Sequence, residues 1–167
     1  MATGTVQNMQ DAMIAAAAIC RARGARWTPL RQEMMALLLA TERPSTAYAL
    51  LDRLRAARGA VAPPTVYRTL DFLIGQRLAH RVGRLNAFVA CTDAGHEHHA
   101  QFLICRTCGA VSEIEDIAVH DAVDIAAALH GFRRGALPIE IDGWSGSCAA
   151  QAENGPSQEY GHAHPAR

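Results

Sequence analysis

The sequence predicts an α+β chain, an N-terminal winged helix-turn-helix followed by a smaller α/β unit. Three observations carry this expectation. Residues up to about 75 hold helix-start signals and buried-stripe spacings, and residues 78–90 read as two short strands around a turn. After residue 92, apolar segments flank a Cys-x-x-Cys pair and give way to a helix and a strand. The charge changes at the same place. Residues 1–92 carry 12 Arg against 5 acidic residues, a balance of +7. Residues 93–167 carry 4 Arg against 11 acidic residues, a balance of −7. The net charge of zero hides a basic half suited to a polyanion such as DNA, and an acidic half suited to staying off it.

The elements follow in order. Asp11–Arg23 is alanine-rich and helical in propensity, with Cys20 expected as a small buried hydrophobe. Thr28-Pro29 sets an N-cap and first helical position for a helix running to about Ala40. Pro44-Ser45 should start another, with Ala47, Leu50, Leu51 and Leu54 as its buried stripe and Gly59 as its end. Pro63-Pro64 opens the next, where Val66, Leu70 and Leu73 share a face at i, i+4 and i+7. Thr65, Tyr67, Arg68 and Thr69 fall mainly on other faces, and Gly75 breaks the helix. Leu78–Val82 and Ala87–Ala90 form a hairpin around Gly83–Asn86. In this arrangement the Tyr67/Arg68 helix enters the DNA major groove and the hairpin lies against the backbone. Whether Arg68 meets a base edge or a phosphate stays open. Beyond residue 92, Gln101–Ile104 and Ala110–Ile114 flank the cysteine pair, Ile117–Leu129 is an amphipathic helix, and Leu137–Ile141 is a strand. The expected organisation is 1–92, 93–150 and a disordered tail over 151–167.

Half of the 167 residues are hydrophobic, enough for a core without disulfides. No apolar run reaches the roughly 18–20 residues of a membrane span. The Ala15–Ile19 stretch lacks a preceding basic region, so a secretory signal is not expected and the cytoplasm is the expected setting. Five cysteines, an odd number grouped with histidines, read as metal ligands rather than disulfides.

The chemistry-bearing residues cluster. His80 and Cys91 are followed by His96-Glu97-His98-His99, then Cys105-x-x-Cys108, then Glu113. Imidazole and thiolate donors suit Zn²⁺, with a carboxylate tolerated as fourth ligand. Cys105-x-x-Cys108 alone also fits a redox pair, but the preceding Phe-Leu-Ile strand and the Gly109 turn favour a zinc knuckle. Metal ligands beside a DNA-reading helix suggest a metal-responsive repressor. No His-Glu-x-x-His motif is present, and no catalysis and no small-molecule substrate are expected. The competing class is a zinc carrier or redox protein without DNA binding, which leaves the basic half unexplained.

The order of these features resembles the ferric uptake regulator superfamily. Ala62–Leu73 is similar to its recognition-helix motif, Leu78–Val82 with Asn86–Cys91 to its wing, and Phe102–Val111 to its first structural cysteine pair. Asp71-Phe72-Leu73, His80-Arg81 and Asn86–Cys91 resemble the zinc uptake regulator branch in particular. The resemblance covers roughly residues 10–148. It implies a homodimer with an N-terminal winged-helix domain and a C-terminal α/β dimerisation domain, binding palindromic operators of zinc-uptake genes when zinc-loaded. It maps a regulatory zinc site to His80, Cys91, His98 and Glu113, and DNA contacts to the Thr65, Tyr67 and Arg68 helix. Sister branches sense iron, manganese or peroxide, and the thiolate of Cys91 favours zinc. Asp52 and Arg55, at i and i+3, read most simply as a local ion pair, and the resemblance implies a contact between neighbouring dimers there. The superfamily's structural zinc site matches Cys105, Cys108 and Cys148, with Ser145 where a fourth cysteine belongs. A neutral serine hydroxyl is a poor zinc ligand. Either His162, His164 or Asp142 supplies the fourth donor, or the site is weak or absent. Gln101 stands where a histidine would help a further sensory site known in some relatives, so that site is not expected. His96 and His99 read as flanking residues, and His162 and His164 as a solvated tail.

Overall fold

A computed structural model describes residues 3–41, 43–94, 99–135 and 137–152. The predicted ligand His98, its neighbour His96 and the tail residues His162 and His164 lie outside the described residues. The elements are α1 (Thr3–Ala22), α2 (Pro29–Leu39), β1 (Ser45–Thr46), α3 (Ala47–Arg58), α4 (Pro63–Gly75), β2 (Ala79–Val82) and β3 (Ala87–Ala90). After these come β4 (Gln101–Cys105), β5 (Val111–Ile114), α5 (Ile117–Leu129), β6 (Ile139–Gly143) and α6 (Gly146–Ala152).

Helix starts follow sequence chemistry with two shifts, the first in α1, which begins at Thr3 rather than at Asp11. Thr28 is the N-cap of α2 with Pro29 at the first helical position, although its side chain makes no capping bond. Pro44-Ser45 does not open α3. Ser45–Thr46 is instead a short strand beside β3, with Ser45 opposite Phe88. Thr46 is the cap of α3, its Oγ1 accepting from the Ala49 N–H at 3.2 Å. A β-branched residue in extended conformation serves both as strand end and as N-cap, which moves the helix start to Ala47. Gly59 closes α3 at φ 82°, a left-handed value that glycine tolerates. α6 was not expected, and it carries the fold two residues into the stretch read as tail.

Two sheets divide the chain. β1-β3-β2 is antiparallel throughout, while β5-β4-β6 pairs β4 antiparallel to β5 and parallel to β6. The larger core joins α1 to α4 with Leu78, Ala79 and Phe88. A smaller one gathers Val82, Ala100, Phe102 and Ile104, with Leu85, Val89 and Val111 packed on it. Hairpin residues therefore contribute to both cores. The β2–β3 turn also meets β6 directly. The Glu140 carboxylate accepts from the N–H groups of Gly83 (2.5 Å) and Arg84 (2.9 Å), and Arg84 pairs with Asp142 at 3.2 Å. Among the described residues no helix is long and apolar enough to cross a membrane.

On α4 the expected stripe of Val66, Leu70 and Leu73 is buried, and Thr69 joins it, correcting its assignment to an outer face. Positions 66, 69, 70 and 73 follow i, i+3, i+4 and i+7, and the Thr69 hydroxyl is satisfied by the Thr65 carbonyl at 2.7 Å. Leu70 is fully buried at the centre of this contact. Leu70→Ala is expected to lower the unfolding free energy by about 2–5 kcal/mol, read by urea denaturation. A loss below about 1 kcal/mol would show that α4 packs more loosely than the buried stripe indicates.

Candidate metal centre and DNA-reading face

His80 projects from β2, and Cys91 follows β3 directly. The strand pairing places Ala79 opposite Ala90, and the Cys91 N–H continues the ladder by donating to Leu78 at 3.0 Å. Cys91 thus stands opposite Leu78. His80, two residues on, shares its face of the hairpin. Glu113 arrives from β5 of the other sheet. The ligand atoms of His80, Cys91 and Glu113 all lie within 4.8 Å of one another. His80 Nε2 is 3.0 Å from Glu113 Oε1, and Cys91 Sγ is 4.0 Å from the same oxygen.

The carboxylate is divided between two tasks. Its Oε2 accepts from both the N–H and the hydroxyl of Thr92, each at 2.9 Å. That tether turns Oε1 toward the imidazole and the thiol. Thr92 carried no signal in the sequence, because its partner lies on another sheet. The Phe102 ring stands edge-on to His80 at 5.5 Å between centroids and closes one side of the site. Burial first, and the Glu113 carboxylate second, push the Cys91 thiol up to about 12. A cation would reverse both effects by stabilising the thiolate. One imidazole, one thiol and one oriented carboxylate form a donor set that fits zinc.

A second cluster lies at the ends of β4 and β6. Cys105, Cys108 and Cys148 bring their sulfurs within 4.8 Å of one another. The knuckle turn is closed by Gly109 N–H on Cys105 (2.9 Å), with Gly109 at φ 69°. The Ser145 hydroxyl and its backbone N–H, followed by N–H groups of the knuckle, hold the Cys105 thiol down to about 5. Asp142, expected as a possible fourth donor, is engaged by Arg84 (3.2 Å) and Arg106 (3.6 Å) instead.

Two further described histidines, His99 and His120, are occupied with each other and with an ion-paired cluster. His99 stacks on His120 at 3.7 Å. Arg134 donates to Asp124 at 2.8 Å and also contacts His120 Nε2. The Arg134 hydrogen bond holds the Asp124 carboxyl below its usual range. The Arg134 guanidinium stands beside these rings, where a metal would compete with a fixed positive charge. Gln101 is fully buried and donates to the Asp116 carbonyl at 2.7 Å, so its amide is committed to the start of α5.

On α4, Tyr67 and Arg68 are exposed and Thr65 is half-buried. Tyr48, 68 % exposed on α3, lines the same shallow depression as Tyr67. It escaped the sequence reading because it lies on a helix identified only by its buried stripe. Asp52 and Arg55 are exposed, but the expected ion pair between them is not among the described contacts. Arg55 donates to the Val61 carbonyl at 3.1 Å, because the loop leading into α4 passes over the last turn of α3.

The model of the ferric uptake regulator family matches residues 22–141. The zinc uptake regulation protein of Escherichia coli (strain K12) is 38 % identical over 140 residues, which is 83 % of this chain and 82 % of the relative. A zinc uptake regulator solved in complex with zinc and DNA is 37 % identical, with a TM-score of 0.79 over 86 % of this chain and 96 % of the other. Holo XcZur is 39 % identical, with a TM-score of 0.74 over 83 % of this chain and 96 % of the other.

Two outcomes are expected from this geometry. Thr92→Val removes the hydroxyl that orients Glu113 and lowers zinc affinity about 10-fold or more without unfolding the protein; chelator competition measures it, and unchanged affinity would remove Thr92 from the site. The metal-free Cys91 thiol is protonated throughout the neutral range, so zinc binding there releases a proton. Apparent affinity should rise about 10-fold per pH unit between pH 6 and 8 from this group alone. Cys91→Ser should reduce that slope by about one.

Proposed function

The chain belongs to the ferric uptake regulator family, and we propose that it is a zinc-responsive repressor that binds palindromic operators of zinc-uptake genes as a zinc-loaded homodimer. The observation that carries this reading is the convergence of His80 and Cys91 from the wing with Glu113 from the second sheet. His98 completes the proposed ligand set. Four protein donors fill a tetrahedral sphere and leave no open position for a substrate, so the proposed role is regulatory rather than catalytic. The thiolate of Cys91 favours zinc over iron(II) or manganese, which accept harder donors.

The proposed mechanism is differential stability of two arrangements. His80 and Cys91 are fixed to the hairpin that flanks α4, and Glu113 is fixed to the second sheet. Zinc supplies the charge that makes their close approach favourable. The arrangement in which these ligands meet is thereby selected, and with it the separation of the two α4 helices in a dimer. Reading a palindrome requires that separation to match about one turn of DNA.

The dimer surface in this reading lies on the second half. Ile125, Leu129, Phe132 and Leu137 are 61–81 % exposed there. An apolar surface of this kind is characteristic of a protein interface. Tyr67, Arg68 and Thr65 are the proposed DNA contacts, and Asp52 with Arg55 a proposed contact between adjacent dimers. The cytoplasm, where the DNA and reduced thiols are found, is the proposed setting.

Fluorescence anisotropy on promoter DNA across a buffered free-zinc series tests the proposal, with iron(II) and manganese as parallel series. Binding should switch on with zinc alone and weaken steeply with salt. An equal response to iron or manganese overturns the zinc assignment, and metal-independent binding overturns the mechanism. Cys91→Ser should lose the zinc response while remaining a dimer. Arg68→Ala should cost about 1–3 kcal/mol on operator DNA if it meets a base edge; an equal loss on random DNA reassigns it to phosphate.

A further inference from the structure

β4 runs parallel to β6 in a register that sets Cys105 opposite Gly143. Arg106 N–H donates to the Gly143 carbonyl at 2.8 Å and extends that alignment past the strand end. The segment after β6 is thereby delivered to the cysteine knuckle, with Cys148 arriving from α6. Three sulfurs occupy three corners of a small polyhedron. Against one of them, at the position where the family resemblance places a fourth cysteine, stands Ser145. Its hydroxyl and its backbone N–H each donate to Cys105 Sγ at 3.4 Å, and its hydroxyl is 3.2 Å from that of Ser147. Ser145 and Cys108 are both partly exposed, so water reaches this corner. The nearby carboxylate of Asp142 is held by Arg84 and Arg106.

The chemistry of the corner follows from the residue type. A cysteine there would supply a fourth anionic sulfur and close the shell. A serine hydroxyl remains neutral near pH 7 and offers only a hard oxygen. We propose that Cys105, Cys108 and Cys148 form a three-thiolate zinc site whose fourth position is exchangeable, filled by an oxygen from water or Ser145 and open to a small soft donor from solution. This proposal deepens the zinc-binding reading above and rests on it for the identity of the metal. The zinc of this site is then removable, where a closed four-sulfur shell would make it a permanent staple of β4, β6 and α6.

The test uses the full chain carrying His80→Ala and Cys91→Ser, which silences the other site, loaded with cobalt(II) as a spectroscopic substitute. It is compared with the same protein carrying Ser145→Cys. The expected result is one cobalt per chain in both. The thiolate-to-cobalt absorption per ion should rise by about one third, from three sulfurs to four, on Ser145→Cys. A chelator should remove the metal about 10-fold or more slowly from the Ser145→Cys protein. Imidazole should shift the ligand-field bands of the serine protein only. Identical spectra and removal rates would overturn the proposal and point to a strong fourth donor elsewhere in the chain, such as His162 or His164. Failure of the serine protein to bind cobalt would also overturn it. Should Ser145→Cys not fold, the imidazole titration of the serine protein decides alone, since bands that do not move mean a closed shell. None of these readouts involves DNA, so their outcome is separate from zinc-dependent operator binding.

Discussion

The Glu113 carboxylate is the contact on which the relation between the two sheets turns. Thr92 holds one of its oxygens by two hydrogen bonds, and the other oxygen faces His80 and Cys91. A carboxylate this buried is unfavourable without compensation. Thr92 supplies part of it without a metal. A cation held by His80, Cys91 and Glu113 would supply the rest by neutralising charge and accepting the imidazole and thiolate lone pairs. The raised Cys91 thiol points the same way: without metal the pocket resists a second negative charge. The site therefore has a strong demand for a positive ion at the point where the two halves of the chain meet.

A second tie acts on the same hairpin from its opposite end. Glu140 accepts from the N–H groups of Gly83 and Arg84 at the β2–β3 turn, and Asp142 neutralises Arg84. These contacts join the basic half to the acidic half, Glu140 through backbone N–H groups and Asp142 through an opposite charge. With Glu113 at one end of the hairpin and Glu140 at the other, the wing is fixed relative to the second sheet at two points. A hairpin held in this way carries α4 with it, because Leu78, Ala79 and Phe88 belong to the same core as Val66, Leu70 and Leu73.

His99 and His120 illustrate how composition can overstate chemistry. His99 and His120 are adjacent, yet Arg134 and Asp124 complete their surroundings as an ion-paired packing cluster. Gln101 supports the start of α5. Three of the five cysteines converge at a second centre, and Ser145 donates to one of them. Donor identity at a single position separates a closed shell from an open one.

The sequence alone determined that the first half holds four helices, because proline entries, capping residues and apolar spacing act locally, although the starts of α1 and α3 differ from the local signals. It also determined the α4 stripe, the hairpin and the cysteine knuckle, whose signals span only a few residues. The density of His80, Cys91 and Glu113 with their neighbours was legible as a metal signal in the sequence, but their selection as one ligand set came through family resemblance, since no local rule brings residues from two sheets together. The tertiary structure decided the remainder. Thr92 as the tether of Glu113, Glu140 as the clamp on the wing, and Ser145 against Cys105 all depend on register between strands distant in sequence. So did the short β1 strand, because Ser45 acquires a partner only when Phe88 folds back beside it. Local propensity specifies elements, whereas long-range pairing specifies which side chains share a site, and the chemistry of this protein lies in the second.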